Sequence, residues 1–307
     1  MTIPVIVDCD PGHDDAIALL LALASPELEL LGVTTVAGNQ TLEKTTANAI
    51  RVLDLAGRGD VPVSAGADRP LVRERVVAAE VHGETGLDGP DLPPPQRAPN
   101  GAHAIDFISE RLRDGRKVTL IPTGPLTNVA LLLARYPELA DRVERIVLMG
   151  GAIAEGNVTP AAEFNIWADP EAASRVFASG LDLTMVGLDV THKALMTRAH
   201  ADALRAAGRV GRTVAELWDF FSAFHRRTYG SEDSPIHDAV AVAHVVRPGL
   251  VETAYRNVEI DCASELSRGR TLVDLWRRTG KEPNVHVAVD VDAGAFFELL
   301  VQRVASL

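Results

Sequence analysis

The sequence predicts an α/β fold: a mostly parallel, doubly wound (Rossmann-like) sheet flanked by helices, with loop insertions and an edge β-hairpin. Three observations predict it. Short, β-branched, continuously apolar runs recur along the chain, as strands covered on both faces require. Segments of helical character lie between them, the alternation expected of parallel strands joined by crossovers. Clusters of polar residues follow the apolar runs, and ligands in such folds bind beyond the carboxyl ends of the strands.

The elements follow in order. Ile3–Val7 is the first apolar β run, and Asp15–Ala24 follows as a helix rich in Ala and Leu. Leu28–Val36 is the second strand, and Leu42–Ala56 a helix with an apolar stripe. Glu80 to Asn100, containing Pro93-Pro94-Pro95, has no periodicity; so long an irregular stretch is uncommon unless functional or disordered. Ala102–Arg113, Lys117–Ile121, Leu126–Arg135 and Ile146–Met149 continue the alternation as helix, strand, helix, strand. Pro170–Ala178 is a further helix. Leu183–Val186 is a strand, and Thr213–Arg227 and Asp238–Val246 are helices. Leu250–Asp261 and Arg270–Trp276 read as a β-hairpin at a sheet edge, before a last strand Val285–Val289 and a last helix Ala293–Val304. With no repeat and no clear linker, residues 1–307 are expected to form one domain.

Of the 307 residues, 47% are apolar, enough for a large core, and the net charge is −12 with no basic run. That balance argues against nucleic acid and anionic membranes as partners and favours a small ligand or a metal ion. Only Cys9 and Cys262 are present, so no disulfide framework is suggested. The N-terminus has no basic segment or cleavage-site pattern, and the longest apolar stretch, Ala16 to Ala24, is too short to span a bilayer. A cytoplasmic location is the expectation.

The first strand runs into Asp8-Cys9-Asp10-Pro11-Gly12-His13-Asp14-Asp15. Asp14 and Asp15 alone could decorate a helix N-terminus, where negative charge is favourable. Asp8 and Asp10, at the end of a buried strand, have no such explanation. Unpaired buried carboxylates cost several kcal/mol, and the usual remedy is a bound cation. A site made only of carboxylates suits a hard ion such as Ca²⁺ or Mg²⁺.

Further clusters follow other strands: Val36-Ala37-Gly38-Asn39, Pro122 to Asn128, Met149-Gly150-Gly151 with Asn157, Glu163 and Asn165 in the next loop, Asp189 to His192, and Ser234 to Asp238. Each is weak alone, since Asn and Gly favour turns and His237-Asp238 reads equally well as a helix start. In a doubly wound sheet, however, they converge on one crevice. Carboxylates and amides suit the hydroxyls of a sugar. A cation that acidifies water, a carboxylate base and a histidine acid would together support inverting hydrolysis of a glycosidic bond. Trp218, Phe220, Phe221, Phe224 and Tyr229 gather on one helix. Most read as its packing face, while Tyr229, beside Gly230, is the candidate to stack on a planar leaving group.

These motifs carry a resemblance. The chain resembles the inosine–uridine-preferring nucleoside hydrolases (nucleoside N-ribohydrolases). The opening acids match that family's DxDxxxDD pattern. Val36 to Asn39, His82-Gly83 with Gly86 to Gly89, Thr123 to Asn128, Met149 to Gly151, Glu163 to Ile166 with Asp169 to Ala172, Leu188 to His192, and Pro235 to Asp238 follow in family order, covering residues 3 to about 245. The resemblance implies a Ca²⁺ held by Asp10, Asp15, Asp238 and the Thr123 carbonyl, with Asp10 also the general base. It implies ribose contacts from Asp14, Asn39, Asn157, Glu163 and Asn165 beside Met149, with Asp8 behind the ligands. His237 matches the acid that protonates a leaving purine, and His82 and Tyr229 lie where base preference is decided. The implied function is hydrolysis of ribonucleosides, purine or pyrimidine, to free base and ribose by a homodimer or homotetramer. Two alternatives are a ribose-binding protein without catalysis and a haloacid-dehalogenase-type phosphohydrolase. The latter also places two aspartates after its first strand, but Pro11-Gly12 and a second Asp pair follow here.

Overall fold

The computed structural model describes residues 2–307. Six strands alternate with helices through the first two-thirds of the chain: β1 (Ile3–Cys9), β2 (Leu28–Thr35), β3 (Val63–Ala65), β4 (Val118–Pro122), β5 (Val143–Met149) and β6 (Leu183–Val186). Two-residue strands β7 (Leu195–Met196) and β8 (Ser234–Pro235) pair with each other, and β9 (Val251–Arg256), β10 (Val258–Ile260), β11 (Thr271–Val273) and β12 (Val285–Val291) complete the set. The main sheet has eight strands in the order β3-β2-β1-β4-β5-β6-β12-β9, parallel except for the antiparallel edge strand β9. The doubly wound architecture expected from the alternation is thereby established.

Strand order reverses at β1. The chain builds outward through β2 and β3 on one side, then returns to add β4 on the other. A crevice opens at such a reversal, beyond the carboxyl ends of the strands. The acidic turn leaves β1 there, Val36 to Asn39 leave β2, and Thr123 and Gly124 leave β4.

The sheet is covered on both faces. Val5, Val7 and Cys9 of β1 join one core, together with the helices His13–Ala24, Leu42–Leu55, Asp238–Val246 and Ala293–Val304, while Ile6 joins the other, with Ala104–Arg113, Thr127–Arg135 and Pro170–Phe177. The period of two that sends neighbouring residues to opposite faces places Asp8 on the side of Ile6. Helices His13–Ala24 and Asp238–Val246 pack on each other and are buried along almost their whole length. An all-round apolar helix belongs in such a place. Their first turns, carrying Asp14, Asp15 and Asp238, meet at the crevice.

The edge hairpin is only partly as expected. β9 pairs with β12, and β10 and β11 form a separate antiparallel pair. Asn284 explains the division: its side-chain amide accepts from the Val258 N–H at 2.8 Å and donates to the Val258 carbonyl at 3.0 Å. Both backbone groups of Val258 are thereby occupied where the β9–β12 ladder would continue, and the chain turns away from the sheet. Strand β3 and the helix Arg198–Arg205 are additions to the sequence reading. The helix read as Thr213–Arg227 extends over Arg209–Tyr229 and stops at Gly230, whose φ of 75° is the left-handed cap that glycine adopts freely. Among the described residues, no helix is long and apolar enough to cross a membrane.

Candidate active site

Asp8 and Asp10 leave the same strand for different tasks. One oxygen of Asp8 accepts from the Thr34 hydroxyl at 2.6 Å and the Asn128 amide at 2.8 Å. It ties β1 to β2 and to the helix after β4. Burial pushes its carboxyl up to about 6, against those two hydrogen bonds. Asp10 is fully buried. Its Oδ2 accepts the Asn39 N–H at 2.6 Å, and among the described residues its Oδ1 has no partner. Gly38 and Gly124 close over it. A Cβ at Gly38 would lie 2.0 Å from Oδ2, and one at Gly124 would lie 2.5 Å from Oδ1. Only glycine allows the β2 and β4 loops to approach this carboxylate.

Asp15 Oδ2 accepts from the Gly12 N–H at 3.0 Å and the Asn39 side chain at 3.1 Å, while Oδ1 accepts from the Thr123 hydroxyl at 2.8 Å. Oxygens of Asp14, Asp15 and Asp238 lie within 4.8 Å of one another. Asp14 thus joins the cluster expected from Asp15 and Asp238, and Asp10 stands in electrostatic reach of it. Burial raises the proton affinity of all four, and repulsion from neighbouring carboxylates adds to it at Asp10, Asp14 and Asp238. Asp10 and Asp238 are pushed well above the carboxylate range, Asp14 up to about 7, and Asp15 in the same direction. Carboxylates held this way are a cavity for positive charge. The orphan Oδ1 of Asp10, the two glycines shaped around it and the all-oxygen donor set fit a hard divalent cation.

A second wall comes from the β5 loop. Glu163 caps the short helix Phe164–Ala168, accepting from the Asn165 N–H at 2.8 Å and the Ile166 N–H at 3.2 Å. It also accepts from the Gly151 N–H at 2.8 Å. Burial raises it to about 7 against these three donors. The Asn165 amide donates to the Thr123 carbonyl at 2.7 Å and the Met149 carbonyl at 3.2 Å. Of the expected ribose contacts, the structure therefore brings Asp14, Asn39, Asn165 and Met149 to the acidic turn and its flanking loops. Glu163 spends its oxygens on backbone groups beside them. Asn157 is exposed, and its side-chain oxygen accepts the N–H of Phe164, between Glu163 and Asn165, at 2.9 Å. It braces its own loop because that loop folds back on itself between Gly156 and Ala162.

Histidines form the remaining side. His82 lies over Gly12, with its Nδ1 3.1 Å from Nδ1 of His13, whose Nε2 donates to the Asp88 carbonyl at 2.8 Å. Phe220 stacks on His13 at 5.0 Å and Phe221 on His82 at 6.1 Å. The helix Arg209–Tyr229 thus packs its aromatic face on the acidic turn, as its spacing predicts. Tyr229 ends that helix, 59% exposed and 4.8 Å from the His225 ring. His237 makes no capping hydrogen bond, so the helix-start reading does not hold for its side chain. Its Nδ1 lies 2.7 Å from the Thr191 hydroxyl. Burial, with His192 and His225 nearby, depresses its proton affinity to about 3. Burial thus favours the neutral ring near pH 7 in the substrate-free chain, because a buried imidazolium loses its hydration.

A sequence profile of the inosine-uridine preferring nucleoside hydrolases matches residues 5–298. The chain belongs to that family. This nucleoside hydrolase is 52% identical to the pyrimidine-specific ribonucleoside hydrolase RihA of Shewanella sp. (strain ANA-3) over 308 residues, spanning 99% of this chain and 97% of that one. Its fold superposes on a plant nucleoside hydrolase, the PpNRh1 enzyme, with a TM-score of 0.94 at 34% identity and full coverage of both chains. It matches a purine-preferring ribonucleoside hydrolase from Gardnerella vaginalis with a TM-score of 0.93 at 35% identity, covering 99% of this chain and 98% of that one. The chain is therefore a ribonucleoside N-ribohydrolase, and the binding-protein and phosphohydrolase alternatives fall away. Sequence reasoning quoted His13 and Thr191 within motifs but gave neither a role. His13 stood inside the acidic motif and carried that signal, whereas Thr191 shows its contact to His237 only in three dimensions.

Proposed function

We propose that this nucleoside hydrolase cleaves the N-glycosidic bond of pyrimidine ribonucleosides in a Ca²⁺-dependent reaction, releasing the base and ribose. One observation carries the proposal: a buried, unneutralised acid cluster with an orphan Asp10 oxygen, in a chain half identical to pyrimidine-specific hydrolases over nearly its whole length. Asp10, Asp15, Asp238 and the Thr123 carbonyl would hold the ion. When bound, Ca²⁺ neutralises the cluster and acidifies water at the site.

The chain's own residues would do the rest. Asp10, anchored through Oδ2 by Asn39, would hold the ion and take a proton from the attacking water with the same carboxylate. Asp14, Asn39 and Asn165 would hold ribose hydroxyls, with Met149 beneath the ring. His82 and Tyr229 would line the base side. His237, neutral and oriented by Thr191, would offer the departing base a hydrogen bond in place of a full proton. In the same reading, residues 1–307 form a single catalytic domain, active in the cytoplasm as a homodimer or homotetramer, which analytical ultracentrifugation will test.

A substrate panel tests base preference. Uridine and cytidine should exceed inosine in kcat/KM by about 10²-fold, the scale on which one pocket separates related ligands. Inosine cleaved as fast as uridine would overturn the pyrimidine assignment.

His237 has its own test. A histidine that delivered its proton as a free imidazolium would make the rate fall as pH rises through about 6.5. With its affinity near 3, uridine turnover should show no such decline between pH 6 and 8. His237→Ala should lower uridine turnover more than that of nitrophenyl riboside, whose leaving group departs unprotonated. A bell whose alkaline limb near pH 6.5 disappears in H237A would restore the acid role.

A further inference from the structure

Thr271 lies on β11, outside the run of motifs that resembles the family, and is buried. Its hydroxyl accepts the Ala152 N–H at 2.9 Å and donates to the Ala152 carbonyl. One side chain thus satisfies both backbone groups of a residue 119 positions away in sequence. The neighbouring Gly151 has a φ of 74°, and a Cβ there would lie 2.7 Å from Thr271 Cγ2. Gly151 in turn donates its N–H to Glu163, and Leu188 donates to the Gly151 carbonyl at 2.9 Å. Glu163 sets the first turn that carries Asn165, whose amide reaches the Thr123 and Met149 carbonyls. The same hairpin braces this helix from behind. A Cβ at Gly269 would lie 2.6 Å from the Trp167 Cα, and the Cys262 thiol donates at 3.3 Å to the carbonyl of Pro170, which opens the next helix.

We propose that Thr271 is a positioning residue for hydrolysis: through Ala152, Gly151 and Glu163 it fixes Asn165 against the Thr123 carbonyl, and so sets the sugar-facing wall. The β10–β11 hairpin, which adds nothing to the main sheet, is then a brace for the active site. The inference rests on the ribose-binding reading given above.

The test compares the wild type with T271V, T271S and T271C, well below their melting temperatures. T271V keeps the shape and removes the hydroxyl, leaving the Ala152 N–H and carbonyl unpaired. It should lose about 10- to 100-fold in kcat/KM for uridine, the scale of a small misplacement of a binding group. It should also raise the inhibition constant of free ribose and speed hydrogen exchange of the peptide spanning residues 150–168. T271S keeps the hydroxyl and should stay close to wild type in all three, with T271C between. If T271V does not fold, the T271S and T271C pair decides the matter by the same readouts. Equal impairment in the Ser and Cys proteins, or a folded T271V protein with unchanged kinetics and ribose affinity, overturns the proposal. A wild-type enzyme that cleaves no pyrimidine nucleoside overturns the base assignment instead, and the exchange and ribose measurements still judge Thr271.

Discussion

Replacing Asp10 with asparagine should lower kcat for uridine by roughly 10²–10⁴-fold, the range for losing a general base, while the protein stays folded. The amide oxygen still accepts the Asn39 N–H, so the anchor of the side chain survives. What disappears is the negative charge of the carboxylate and with it the basicity that proton transfer needs. Asp10 is also a proposed metal ligand, and the measurement needs a companion. Calorimetric titration with Ca²⁺ reports whether the variant still takes up the ion. Kinetics run at saturating Ca²⁺ then isolate the proton transfer. Near-wild-type turnover at full occupancy would remove Asp10 from the mechanism.

Chelation should abolish turnover, and the same experiment carries a stability signature whose sign the structure dictates. Without a cation, Asp14 is raised to about 7, with Asp10, Asp15 and Asp238 raised alongside it from an ordinary 3.8. Between those two values the folded chain binds more protons than the unfolded one, so metal-free stability falls as pH rises from about 4 to about 7. A bound cation favours the ionised form and cancels this trend. Stabilisation by a ligand follows mass action, about 2.7 kcal/mol at a hundredfold excess over Kd. Melting scans with chelator and with Ca²⁺ should therefore diverge as pH rises, with the larger gap at pH 8 than at pH 5. A pH-independent gap, or full activity after exhaustive chelation, would remove the ion from the cluster.

Much of this site was legible in one dimension because its strongest signal is local. Four acids at one strand end are costly together, and that cost is visible before any coordinate is known. The sheet was legible for a similar reason: continuously apolar strands have few other homes. What escaped the sequence depends on partners far along the chain. Strand β3 is three residues long, too short for alternation to show. The division of the expected hairpin depends on Asn284, whose clasp on Val258 no periodicity announces. The lowered proton affinity of His237 arises from burial and from His192 and His225, which arrive from separate segments of the chain. The bond by which Asn157 holds the Phe164 N–H likewise depends on how its loop folds, which spacing does not show.

The convergence of the two buried helices has a consequence for how the protein is made. Its acids come from both ends of the fold: Asp10, Asp14 and Asp15 emerge first from the ribosome, and Asp238 follows only after β6 and the long aromatic helix. A nascent chain that stops short of Asp238 carries the repulsive half of the cluster without its closing member. Pairings of such large sequence separation form late and slowly. In the proposed metal-dependent reading, the ion would be held in full only once Asp238 has joined the acids of the first turn, so its uptake would follow synthesis.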